Sequence, residues 1–290
     1  MSSAARVTST DYRRPHRPWP IAMANRMGSW LAPVGLTQAD LSLDGLLRRA
    51  RKSTGLEDVG GDGFEERLDL LLRSIREEGR LHPLGRWMAQ QNLLRILSTR
   101  LRIVRAFRSM SDLRHDRVYA PLLVVGLQRT GTTKLQRLLA SDPAHRYLPS
   151  WEAIAPLSSR LEQEHAVGAR KRQAWLAAHS LRFLAPDFYA IHPVDPEGPE
   201  EDCLLFDFAL WGTVPEATMR VPSFSAWLER QDHSQAYDFF ADMLRLLNSL
   251  RPGGRWVLKT PQHMEHLPTL LRTFPDSRII QTHRDPVKVL

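Results

Sequence analysis

The sequence predicts an α/β fold with a three-layer parallel sheet, and three observations carry that reading. Leu122-Leu123-Val124-Val125 is a short, wholly apolar run, as expected of a strand buried on both faces of a parallel sheet. A glycine-containing loop, Gly126 to Thr133, follows it and leads into an amphipathic stretch, so strand, loop and helix come in the order of a P-loop-type phosphate site. Further strand-sized runs recur between helix-sized ones, and strands separated by helices pair in parallel. A helical N-terminal region precedes the sheet.

In chain order, residues 1–35 are rich in Ser, Arg and Pro without periodicity and read as a flexible arm. Residues 36–118 read as a helical cap. Phe64, Leu68, Leu71, Leu72 and Ile75 recur at helical spacing, as do Leu93, Leu97, Leu101 and Val104, and Gly60-Gly61-Asp62-Gly63 marks a loop between helices. Residues 119–290 make the α/β domain. Its first helix is expected to turn Leu135, Leu138 and Leu139 to the core and to stop at Asp142-Pro143. Strands are expected at 146–149, 256–258 and 278–282. Helices are expected at 160–184, 200–211 and 234–250, the last ended by Pro252-Gly253-Gly254. The proline-rich stretch 185–199 reads as irregular.

Composition narrows the function. The chain has 290 residues, 42% of them hydrophobic, with 40 Lys+Arg against 32 Asp+Glu and a net charge of +8. That is the make-up of a globular protein with ample core. No apolar run approaches the ~20 residues of a membrane helix, and the basic N-terminus lacks the apolar stretch of a secretory signal. The single cysteine, Cys203, excludes a disulfide framework and a Cys-based zinc site and makes a reducing cytoplasm the expected compartment. The basic residues are mostly arginines scattered beside acids, which favours anionic ligands in general. They lack the clustered stripe of a nucleic-acid binder.

The loop Gly126-Leu127-Gln128-Arg129-Thr130-Gly131-Thr132-Thr133 is the informative segment. Backbone N–H groups and a helix N-terminus converge there on one point, a phosphate site. Gly126 and Gly131 allow close approach, and Thr130, Thr132 and Thr133 add hydroxyls. The spacing is that of a Walker A loop with Thr132 where the lysine belongs. That departure argues against an ATPase or kinase. The cation sits instead at Arg129, facing a group carried on a single 5′-phosphate.

These residues resemble a known family. The loop looks like the 5′-phosphosulfate loop of sulfotransferases that use 3′-phosphoadenosine-5′-phosphosulfate (PAPS). Leu138 to Pro143, Trp151-Glu152, Gly198 to Asp202, Trp256 to His263, Phe274-Pro275-Asp276 and Thr282 to Pro286 resemble the large bacterial-type sulfotransferases. The resemblance spans about 121–290; residues 1–120 carry no motif of the family.

Sulfuryl transfer resembles phosphoryl transfer, in which catalysis is mostly positioning and charge stabilisation. The resemblance implies that Arg129 holds the bridging oxygen and sulfonate while Thr130 to Thr133 grip the 5′-phosphate. By similarity to tyrosylprotein sulfotransferases, Glu152 is the general base; its other reading is an acid favoured by a helix N-terminus. Lys259, at the end of the third strand, is a second cation for the sulfonate, and His263 an acceptor contact or alternative base. His263 and His266 have a metal-like spacing, but no third ligand is evident and the family reaction needs no metal. Glu200-Glu201-Asp202 serves either the dipole of the helix it opens or the acceptor site. Arg284 is implied at the 3′-phosphate. The serine that usually joins it lies beyond Leu290, so the resemblance implies a piece of a longer enzyme, binding nucleotide weakly and turning over poorly.

The expected function is transfer of a sulfuryl group from PAPS to a hydroxyl or amine of a small molecule or carbohydrate. Phe183, Phe188, Tyr189, Phe206, Phe208 and Trp211 suggest an apolar or ring-bearing acceptor. Two alternatives stand: a P-loop small-molecule kinase, with Asp285 as the Mg²⁺ carboxylate, and a non-catalytic interaction module with a vestigial nucleotide fold.

Overall fold

A computed structural model describes residues 16–31, 39–110, 117–157, 164–285 and 287. Four helices come first, α1 (Trp19–Leu31), α2 (Leu43–Thr54), α3 (Phe64–Glu78) and α4 (Pro83–Ser109). Then follow β1 (Leu122–Val125), α5 (Thr132–Ala140), β2 (His145–Tyr147), α6 (Ser150–Ile154), α7 (Glu164–Leu184), α8 (Pro186–Ile191) and α9 (Cys203–Phe206). The chain continues through α10 (Val214–Thr218), α11 (Pro222–Leu228), α12 (Ser234–Leu250), β3 (Arg255–Lys259), α13 (Leu267–Thr273) and β4 (Arg278–Gln281).

The strands form one sheet in the order β2-β3-β1-β4, and all three pairings are parallel. Leu122 is opposite Val257 of β3 on one side and Arg278 of β4 on the other. Alternate residues of β1 face opposite sides of the sheet. Leu123 joins the main core with Leu258, Tyr237, Phe240, Leu244 and Leu247. Leu122 and Val124 form a smaller cluster with Val257 beneath Leu135 and Leu139 of α5. Helix, sheet and helix thus make three layers. The cap residues Phe64, Leu68, Leu93 and Leu97 belong to the same main core, so α3 and α4 are cemented to the sheet rather than forming a core of their own. Full burial of such a side chain stabilises by about 1.5–3 kcal/mol, and the fully buried Phe206, Tyr237 and Phe240 pack against His263.

Several expectations need correction. Residues 19–31, expected within a loose arm, form α1, seated on α4 where Gly28 meets Pro83. Leu138 is 68% exposed, because the outer layer needs only Leu135 and Leu139 on its inner face. Pro186 opens α8 as a first-turn proline inside the stretch read as irregular. Glu200 to Asp202 are not helical. The Glu200 N–H donates to Leu148 O at 2.9 Å and the Asp202 N–H to Lys259 O at 3.4 Å. These backbone donors tie the acidic run to the strand ends, and the helix begins only at Cys203. Phe206, Phe208 and Trp211, offered as acceptor-pocket aromatics, are core residues, whereas Phe183 and Phe188 are exposed. Residues 160–163 of the expected helix at 160–184 and Pro286 lie outside the described residues.

Candidate active site

The loop leaves the carboxyl end of β1, an inner strand, at the edge where parallel sheets bind their ligands. Gly126 has φ +153, and a Cβ there would lie 2.3 Å from Thr282 Oγ1, so only glycine fits. Thr130 Oγ1 donates to Leu127 O at 2.6 Å and lies 2.7 Å from Thr282 Oγ1; this contact ties the loop to the end of β4. Gly131 has φ +98 and caps α5 without a side-chain hydrogen bond. A Cβ at Gly131 would meet nothing within 4 Å. The first-turn N–H groups of a helix lack intrahelical acceptors, and the space beside Gly131, just ahead of them, is open.

Arg129 has φ +67, a left-handed conformation that costs a non-glycine residue of order 1–3 kcal/mol. Its exposed guanidinium has no hydrogen-bond or ion-pair partner among the described residues. Arg284 Nη1 donates to Arg129 O at 3.4 Å, bringing a second arginine to the mouth of the loop. Thr132 is buried in the first turn of α5.

Lys259 ends β3 directly behind the loop and is 1% exposed. A buried ammonium must be paired. Its Nζ donates to Thr133 Oγ1 at 3.3 Å and forms a short ion pair with Glu201 Oε1. His192 approaches the same carboxylate, with Nδ1 4.0 Å from Glu201 Oε1, while its Nε2 is 3.1 Å from Glu200 Oε1. Glu200 also accepts from Ser150 Oγ at 2.9 Å. The hydrogen bond to Glu200 raises the His192 pKa above its ordinary value against the effect of burial. Burial pushes the Glu200 carboxyl up, but the hydrogen bond and charge of His192 outweigh it and hold the group below the usual range.

His263 is fully buried. Its Nε2 lies 3.3 Å from Asp202 Oδ2 and its Nδ1 3.0 Å from Tyr237 OH. Burial raises the Tyr237 pKa, so the phenol keeps its proton and donates it to Nδ1, leaving Nε2–H to donate to the carboxylate. This buried chain holds Asp202 next to Glu201. His266 does not join His263 in a shared site; it stacks on His233 at 3.7 Å. Burial and the neighbouring histidines lower its pKa to about 4. Its unfolded-state pKa is about 6.5, so the chain loses stability as pH falls from 6.5 towards 4, where the unfolded state binds the extra proton. His266→Asn should flatten that part of the pH–Tm curve; an unchanged slope would contradict the assignment.

Glu152 lies elsewhere. It is 2% exposed in the first turn of α6. Arg251 grips it with Nε–Oε1 at 3.1 Å and Nη2–Oε2 at 2.8 Å, and Arg146 Nη2 stands 3.7 Å from Oε2. Both oxygens are therefore engaged by arginines at the edge of the sheet. The structure brings together Gly126, Arg129, Thr130, Gly131, Thr132, Thr133, Lys259 and Arg284, places His263 one layer behind them, and leaves Glu152 in a separate ion pair. His192 was not singled out from the sequence, and Glu201 was named only within the acidic run Glu200-Glu201-Asp202, not as a partner of Lys259. The available signal for Glu201 was that a strand-end lysine needs a carboxylate partner, and Glu200-Glu201-Asp202 follows the extended segment at Pro199.

A parallel sheet layered with helices defines an α/β protein, and comparison with known proteins gives its family. The model of the sulfotransferase family matches residues 121–290, and the chain belongs to that family. It is 27% identical over 180 residues to omega-hydroxy-beta-dihydromenaquinone-9 sulfotransferase Stf3 of Mycobacterium bovis, a match covering 58% of this chain and 43% of that protein. Sulfotransferase STF1 from Mycobacterium tuberculosis superposes with TM-score 0.67 and 33% identity, covering 84% of this chain and 67% of that one. STF9 from Mycobacterium avium gives TM-score 0.71 and 29% identity over 88% and 64%. The chain thus spans less than half the length of the curated relatives it matches.

Proposed function

We propose that the chain carries the donor site and catalytic groups of a PAPS-dependent sulfotransferase acting on a hydroxyl of a small, largely apolar acceptor. One observation carries this reading: the loop bearing Arg129 leads into the N-terminus of α5, which has no side-chain cap, and there the Thr133 hydroxyl accepts from Lys259, itself paired with Glu201. PAPS supplies an activated sulfuryl group when bound. The N–H groups of Thr130 to Thr133 and the hydroxyls of Thr132 and Thr133 would hold its 5′-phosphate, Arg129 and Lys259 would neutralise charge on the sulfonate and bridging oxygen, and Arg284 would support the nucleotide side. The acceptor oxygen forms the new S–O bond as the bridging S–O bond breaks.

Glu201 takes the acceptor's proton. It is part-exposed beside the loop, as a base in contact with an incoming acceptor must be, whereas both oxygens of Glu152 are occupied by arginines. Tyr237, His263 and Asp202 act as positioning residues for Glu201. The name of the curated relative, with its omega-hydroxyl and menaquinone, supports a hydroxyl on an apolar acceptor over a carbohydrate. The kinase reading lacks its lysine at position 132. The test is transfer of labelled sulfuryl groups from PAPS to apolar alcohols without added divalent cation. Metal-independent transfer is expected; phosphate transfer from Mg-ATP, or no transfer to any alcohol, would contradict the reading.

A further inference from the structure

Trp19, Met23, Met27 and Trp30 of α1 recur at spacings of four, four and three residues, which puts them on one face of the helix. That face is not packed: Trp19 is 73% exposed and Trp30 86%. Trp87 (53% exposed) and Met88 stand out from the first turns of α4, to which α1 is fixed by the Gly28–Pro83 contact and by Leu84 N–H donating to Asn25 Oδ1 at 3.1 Å. An apolar surface of this kind marks an interaction site.

Its electrostatics point to one kind of partner. Neither α1 nor α4 contains an acidic residue. Arg17 and Arg26 are exposed beside the stripe, and α7 carries Lys171, Arg172 and Arg182 with Glu164 as its only acid. Nearby Glu197 is paired with Lys171 at 2.9 Å. We propose that the face formed by α1 and the start of α4 docks on an anionic lipid bilayer surface. An apolar helical face flanked by cations and free of acids lies in the headgroup region, with tryptophans at the boundary, and the basic side chains meet the negative surface potential. Among the described residues no helix is long and apolar enough to span a membrane, so the contact lies on the bilayer.

The face also leads towards the site. His16 Nε2 lies 3.2 Å from Phe183 O, joining the start of α1 to the end of α7. The exposed Phe183, Phe188 and Ile191 then run to His192, which touches Glu200 and Glu201. On the sulfotransferase reading, an acceptor carried in the bilayer would approach Glu201 along this route. The docking itself does not depend on that reading.

The test is flotation of the full chain with phosphatidylcholine vesicles, with or without phosphatidylglycerol. We expect about tenfold stronger partitioning with phosphatidylglycerol, reversed by salt, and quenching of tryptophan fluorescence by brominated lipid. The double variant Trp19→Ser/Trp30→Ser should lose about tenfold of this binding, with unchanged Tm and unchanged affinity for adenosine 3′,5′-bisphosphate. Nucleotide affinity and vesicle binding are separate readouts, so failure of one leaves the other reading standing. The proposal is overturned by no partitioning, by equal partitioning on neutral vesicles, or by no quenching in the unaltered chain. It is also overturned if the face instead joins two copies, seen as a dimer abolished by the tryptophan pair.

Discussion

Glu201→Gln is expected to lower kcat by about 10²–10⁴-fold, the range for loss of a general base, while donor affinity holds or tightens. Gln keeps the size of the side chain and a hydrogen-bonding oxygen towards Lys259 but takes no proton. It also frees the full charge of Lys259, now paired with Glu201, for the anionic donor. That split between kcat and affinity separates a proton acceptor from a structural acid. Steady-state rates with saturating PAPS, compared with the unaltered chain, read it directly. Wild-type kcat in Glu201→Gln, with kcat lost in Glu152→Gln, would return the role to Glu152.

Glu152→Ala is expected to act on stability instead. Its carboxylate is paired with Arg251 and lies by Arg146, whose side chain is 1% exposed. Burial lowers the Arg146 pKa to about 10 even with the charge of Glu152 beside it. Removing the anion leaves a buried guanidinium whose remaining partners are Asn248 Oδ1 and the carbonyls of Leu247 and Arg251. Breaking one side of a buried pair costs about 3–5 kcal/mol, which corresponds to a fall in Tm of about 10 °C. Thermal unfolding by circular dichroism checks this. An unchanged Tm would show that the pair is not holding β2 against the end of α12.

The strand–loop–helix unit around Gly126 and Gly131 was readable from the sequence because its requirements are local: an apolar strand before the loop, glycines within it, and a helix after it. The helix at 234–250 was readable for the same reason, its apolar period being unbroken. The candidate base was not. Whether Glu152 or Glu201 faces the loop depends on which arginines and lysines lie across the sheet from them, and Arg251 is 99 positions from Glu152 along the chain. The acidic run at 200–202 carried a helix-opening signal that lost to backbone pairing with Leu148 and Lys259. Helix α1 was missed because its apolar face has no intramolecular partner, and its flanking prolines and arginines read as an arm.

Isothermal titration of adenosine 3′,5′-bisphosphate into the unaltered chain and into Arg129→Ala, both without divalent cation, tests the donor site most directly. The site described here predicts metal-independent binding that Arg129→Ala weakens by about tenfold to a hundredfold, the scale of a charged hydrogen bond. Equal affinity in the two proteins, or binding of Mg-ATP in place of the bisphosphate, would contradict it.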